Sequence, residues 1–154
     1  PDICIFYSEP DENKVETLSS ILEILGGASG WDKDIKNGRW GPEIARNIKT
    51  ARCVIPIWNS SAVRDKSITF VEAETSRQLN KPMITLVSEE IDPPFPFGAL
   101  THNANVAGWD CSDGADCVSK IVESVESVLG IAPQKWRGER PSMINVRIPY
   151  LKEI

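Results

Sequence analysis

The chain is poor in the residues that build metal sites. Its 154 residues include a single histidine, His102, and four cysteines, Cys4, Cys53, Cys111 and Cys117, none spaced as C-x-x-C. That scarcity argues against zinc and similar centres, which need clustered thiolate and imidazole ligands. Positive charge is also scarce and scattered: 17 Lys and Arg stand against 22 Asp and Glu, for a net charge of −5. A phosphate-backbone binder needs a clustered basic surface, so nucleic acid is not an expected partner. No apolar run approaches the roughly 20 residues of a membrane span. No secretory leader pattern occurs either. A membrane is therefore not an expected partner, and the expected setting is cytoplasmic, with reduced thiols. No G-x-G-x-x-G and no Walker lysine motif is found, so a nucleotide cradle of the usual kind is excluded. Internal repeats and low-complexity segments are absent.

What is present suits one globular domain. Hydrophobic residues make up 41% and charged residues 25%, ordinary values for a packed soluble core. "DICIFYS" (2–8) is a continuous apolar run that ends in polar residues, the pattern of a buried strand. In the following "DENKVETLSSILEILGG", Val15, Leu18, Ile21, Leu22 and Leu25 recur at helical spacing before Gly26-Gly27. "ASGWD" reads as a short second strand, "KDIKNGRWG" as a loop, and Pro42 as the opening of a second helix with Ile44, Ala45 and Ile48 on its apolar face. "RCVIPIW" (52–58) reads as the third strand; Pro56 is expected near its end or at a bulge, because a central strand rarely accepts proline. A helix is expected over 69–79, strands over 82–88 and 105–110, and a last amphipathic helix over 115–130. Cys4 and Cys53, inside strand-like runs, read as small core residues.

Strands and helices thus alternate strictly, and the strands lack period-two polarity. Such strands are buried on both faces, which predicts a doubly wound α/β fold: a parallel five-stranded sheet with helices on both faces. In an open parallel sheet, ligands bind beyond the C-terminal strand ends. Tyr7-Ser8, the loop 31–40, Asn59-Ser60-Ser61 and Ser88-Glu89-Glu90 gather there. On the helix that follows, Phe70 and Glu74 lie four residues apart and share a face, while Glu72 points elsewhere. An aromatic face beside one carboxylate suits a flat cationic heterocycle attached to a sugar. The same spacing also occurs on any amphipathic helix, with the ring in the core and the carboxylate in water.

The order and spacing of several segments resemble a TIR (Toll/interleukin-1 receptor) domain of bacterial type. "DICIFYSEPDE" is similar to that family's first strand and loop. "GWDKDIKNGRWGPEIARNIKTARCVIPIWNSSAV" is similar to its second strand, BB loop, second helix and third strand. "FVEAE" resembles the family's aromatic-x-x-x-Glu motif, and "KPMITLV" and "VAGWD" fit its later strands; the likeness covers residues 2 to 130. The resemblance implies a flavodoxin-like fold and cleavage of NAD at the nicotinamide–ribose bond, giving nicotinamide with ADP-ribose or a cyclic isomer. Glu74 would be the catalytic residue. Tyr7, Ser8, Asp32, Lys33, Arg39, Trp40 and Phe70 would bind substrate, NAD being substrate and no cofactor or metal being needed. Self-association through TIR–TIR contacts, extending to filaments, and a role in bacterial anti-phage defence are further implications. Phe70 stands where many family enzymes carry Trp, Phe6 where Ser is usual, and Glu9 where Arg is frequent.

Plainer roles stand beside these. Tyr7 and Ser8 also suit a strand cap, Trp31 a core position, and Trp109 a place under the last helix. His102 reads as a loop residue, and Glu89 and Glu90 as solvated. Arg39 and Trp40 occupy a loop with no packing reason for a large indole, which points to an interface or a substrate. Two rivals remain. One is a non-catalytic TIR interaction module in which Glu74 is a passenger. The other is a nucleoside 2-deoxyribosyltransferase-like enzyme, also glutamate-dependent. Residues 1–130 are expected to form the domain, and 131–154, with Pro133, Pro141 and a basic patch, a linker or the start of a neighbouring module.

Overall fold

A computed structural model describes residues 3–24, 29–30, 42–64, 67–99, 102–112 and 114–130. Strand β1 (Ile3–Phe6) leads through a 3-10 turn at Glu9–Asp11 into helix α1 (Glu12–Ile24). The two-residue β2 (Ser29–Gly30) and helix α2 (Pro42–Thr50) follow, then β3 (Cys53–Trp58) and α3 (Ile68–Gln78). The described elements end with β4 (Thr85–Val87), β5 (Asn103–Asn105) and α4 (Asp116–Leu129). All pairings are parallel, in the order β2-β1-β3-β4-β5. The fold is therefore α/β with a parallel sheet, and its order reverses at β1.

Alternate strand residues feed two separate cores, which explains the absence of polar positions in β1 and β3. Ile3, Ile5, Ile55, Ile57 and Leu86 pack with Val15, Leu18 and Leu22 of α1 and with Val118, Ile121 and Val125 of α4. Cys4, Phe6, Val54, Trp58 and Met83 pack with Ile48 of α2 and Ala73 of α3. Helices thus cover both faces. Cys4 and Cys53 are free, buried core residues, as expected from their strands. Burial pushes their thiols up to about 11 and about 12. Trp109 joins the core under α4, also as expected.

Two strand assignments differ from expectation. Pro56 sits mid-strand in β3, paired with Phe6 of β1, and not at an end. Its backbone nitrogen faces β4, as does that of Val54, whose N–H donates to Pro82 O at 2.9 Å. The β3–β4 ladder pairs Val54 with Met83, then resumes at Ile57 with Leu86 in the same register. The missing rung is the one an N–H at position 56 would supply, so the proline sits in a gap of its own making. The fifth strand lies at 103–105, not 105–110. Asn105 Oδ1 accepts the Ala107 N–H at 2.8 Å and Gly108 has φ 73°, so "VAGW" turns away from the sheet.

Helix ends are closed by groups distant in sequence. Lys81 Nζ donates to the carbonyls of Lys49 and Ala51 (2.6 and 2.9 Å) at the C-terminal end of α2, and Arg52 Nη2 donates to Leu129 O (2.9 Å) at the end of α4. Gly130 takes φ 68° there, the left-handed conformation that favours glycine, and its N–H bonds to Glu126 O. Because α4 is closed within the domain, removing 131–154 is expected to leave the melting temperature nearly unchanged. A large fall in a thermal melt would move the domain boundary past Gly130.

Candidate functional site

The C-terminal ends of β1, β3 and β4 carry a buried polar junction. After Ser8, the Glu9–Asp11 3-10 turn, with Pro10 as its second residue, bends the chain back and brings Asp11 under the sheet edge at 3% exposure. Asn59, the residue after β3, is 2% exposed. Its Nδ2 donates to Ser8 Oγ and to Asp11 Oδ2 (2.8 Å), while its Oδ1 accepts the backbone N–H groups of Ser61 (3.0 Å) and Ala62 (2.9 Å). Ser88, just after β4, donates its hydroxyl to Asp11 Oδ2 at 2.8 Å. One carboxylate thus joins three loops, with its charge matched by hydrogen bonds, as a buried acid requires. At the rim, Ser60 donates from its N–H (3.3 Å) and Oγ (3.2 Å) to half-buried Glu89. Glu89 keeps contact with water, as the sequence suggested, and is also oriented by Ser60.

Beside this junction lies an aromatic cluster. Trp58, fully buried, stacks on Phe97 with ring centroids 5.2 Å apart, and Phe70 meets both edge-on, at 6.4 Å from Trp58 and 5.9 Å from Phe97. Ser67 fixes the start of α3: its Oγ accepts Phe70 N–H (3.0 Å) and donates to Ala62 O (2.6 Å). That cap places Phe70 in the first turn, half-buried, at the sheet's C-terminal edge.

Glu74 follows one turn later. Its side chain is 28% exposed and is held by both Arg77 nitrogens Nε (3.0 Å to Oε2) and Nη2, with Gln78 Nε2 at 3.4 Å. The Arg77 hydrogen bond lowers the Glu74 carboxyl below its ordinary range. Glu72 is the more buried of the two acids, at 5% exposure.

Of the residues expected to bind substrate, Ser8 stands in the polar junction and Phe70 in the aromatic cluster. Tyr7 is half-buried against the core that α1 and α4 cover, on the opposite face of the sheet from Phe70. Asp32, Lys33, Arg39 and Trp40 lie outside the described residues. His102 is partly exposed, and its carbonyl accepts Thr85 N–H at 3.0 Å. Asn59 and Ser88 belong to the polar segments expected at this edge, whereas sequence reasoning missed Asp11, which joins them. Asp11 had one usable signal, the S-x-x-D spacing from Ser8 to Asp11 at a helix entrance. Among the described residues, no group of three or more His, Cys, Asp or Glu is placed to hold a metal ion, and no helix is long and apolar enough to cross a membrane.

No protein-family model matches the chain, and no curated protein matches it.

Proposed function

We propose that the chain is a TIR domain of flavodoxin-like fold that cleaves the nicotinamide–ribose bond of NAD, with Glu74 as the catalytic carboxylate. The observation that carries this reading is the placement of Phe70 and Glu74 four residues apart on the first two turns of α3, the helix that follows the C-terminal end of β3. Phe70 offers a ring for the nicotinamide. Departure of neutral nicotinamide leaves an oxocarbenium-like ribose, as in glycoside cleavage. An ionised carboxylate stabilises that charge, and the hydrogen bond from Arg77 favours the ionised form of Glu74. Ser8, with Asp32, Lys33, Arg39 and Trp40 of the 31–40 loop, would complete the substrate contacts, while Tyr7, packed on the other face of the sheet from Phe70, would serve as the strand cap instead. Self-association would bring that loop to a neighbouring subunit, and the enzyme would act on the cytoplasmic NAD pool as a defence effector.

A second reading has one observation in its favour. Glu74 is engaged in an exposed ion pair with Arg77, the arrangement of an ordinary surface acid on a non-catalytic interaction module. The two readings separate in one assay. Concentrated protein incubated with NAD is expected to release nicotinamide, with specific activity rising with protein concentration, and Trp40→Ala should lose most at low concentration. No release at any concentration would leave the interaction module. Release from a deoxynucleoside but not from NAD would point to the deoxyribosyltransferase chemistry.

A further inference from the structure

The hydrogen bonds around Asn59 determine which way the Ser8 hydroxyl faces. Asn59 Oδ1 accepts two backbone N–H groups, from Ser61 and Ala62, so the amide cannot be turned around. Both remaining contacts of the side chain are therefore made by the Nδ2 protons, one to Asp11 Oδ2 and one to Ser8 Oγ. Asp11 Oδ2, which also takes the Ser88 hydroxyl, has only lone pairs to offer. Ser8 Oγ is thus an acceptor towards the protein, and its single proton is left over. Ser8 stands at the N-cap of the Glu9–Asp11 turn, where a serine side chain commonly caps, yet it makes no cap bond. No hydrogen bond among the described residues spends that proton, and the side chain is half-exposed.

We propose that Asp11 and Asn59 are positioning residues that commit the Ser8 hydroxyl to donate outward, to an uncharged acceptor oxygen of a bound ligand such as a sugar hydroxyl or a carboxamide. The ligand's charge follows from the surroundings. Asp11 lies one amide away from Ser8 in a buried setting, and Glu89 sits at the adjoining rim. Negative charge in a poorly screened edge repels phosphate and tolerates a neutral or cationic group. Under the NAD reading, on which the ligand's identity rests, the nicotinamide–ribosyl end faces Ser8 and the pyrophosphate lies away from it.

The test uses the full chain, labelled with ¹⁵N. The Asn59 side-chain amide protons touch Ser8 and Asp11, so their resonances report a ligand at the Ser8 hydroxyl. NAD and nicotinamide riboside are expected to shift them, and inorganic pyrophosphate to leave them in place. In the cleavage assay, Ser8→Ala should raise KM about tenfold, the worth of one hydrogen bond to a ligand, with kcat much less affected and Ser8→Thr restoring KM. Asn59→Asp keeps the two backbone N–H bonds and removes both amide protons; the new carboxyl at position 59 and that of Asp11, at hydrogen-bond distance, take up one proton and share it, and the Ser8 hydroxyl turns inward to the carboxyl oxygen at position 59. It should raise KM to the same degree, and adding Ser8→Ala to it should do no further harm. Resonances moved by pyrophosphate, or by none of the three probes, overturn the inference. So does an unchanged KM in Ser8→Ala. NAD that shifts the Asn59 signals but is never cleaved refutes the glycohydrolase and leaves the Ser8 assignment standing; cleavage with silent Asn59 signals does the reverse.

Discussion

Glu74→Gln is expected to lower nicotinamide release by about 10²- to 10³-fold, the usual effect of removing one group aimed at transition-state charge, with little change in melting temperature. The side chain is partly exposed and its partners are Arg77 and Gln78 on the same helix, so the fold does not depend on it. An exposed pair of this kind adds little to stability. Glu72→Gln should behave in the opposite way. Glu72 is buried at 5% exposure, so its replacement should lower the melting temperature while the folded fraction keeps most of its activity. Arg77 provides a second handle. It holds the Glu74 carboxyl below its ordinary range, so Glu74 stays ionised to lower pH than a free glutamate. In Arg77→Ala the acid limb of kcat/KM should therefore move to higher pH. Equal losses in the two glutamate variants at equal folded fraction would remove Glu74 from the chemistry.

Trp58→Ala should be the most damaging single change to the fold, costing about 3–5 kcal/mol. Trp58 is fully buried and packs against both Phe97 and Phe70. Its removal leaves a void that the central strand cannot close, because its backbone is held by β1 on one side and β4 on the other. Trp58→Phe should be far milder, under about 1.5 kcal/mol, as near-conservative apolar exchanges are. The indole Nε1 is buried with no hydrogen-bond partner among the described residues, so losing it removes an unsatisfied donor and offsets part of the lost packing. Chemical denaturation of the two variants measures the difference. Equal costs would show that the ring's volume is not what matters at this position.

The periodic features were legible in the sequence, and so was the gathering of Ser8, Asn59 and Ser88 at the strand ends, but the acid that joins them was not. β1 and β3 announce themselves as unbroken apolar runs, since every residue of each is buried. α1 and α4 announce themselves by the spacing of Val15, Leu18 and Leu22, and of Val118, Ile121 and Val125. Pro56 misled, because strand propensity describes an average position and says nothing of which neighbour a given N–H faces. The short β5 was displaced because only Ala104 points inward, leaving no pattern to detect. The Phe70–Glu74 spacing placed both residues on α3 but could not reveal Arg77 as the carboxylate's partner. Asp11 was missed for a different reason: the S-x-x-D spacing marks a turn entrance, but its partners Asn59 and Ser88 lie 48 and 77 residues away, and only the sheet order brings them together.

The gap at Pro56 has a thermodynamic consequence. Where one rung is missing between β3 and β4, the sheet holds together less tightly as a unit, and β4–β5 is the half that would separate first. The Asp11–Ser88 bond crosses that line, tying a loop of the β1–β3 half to a loop of the β4 half. Cooperativity of the whole sheet therefore depends partly on a polar contact at the rim that also borders the ligand edge. By mass action, any ligand that binds only the assembled edge stabilises the folded state in proportion to the logarithm of its concentration over its Kd. Occupancy at the mouth of the sheet and closure of the weak line within it are then two expressions of one equilibrium.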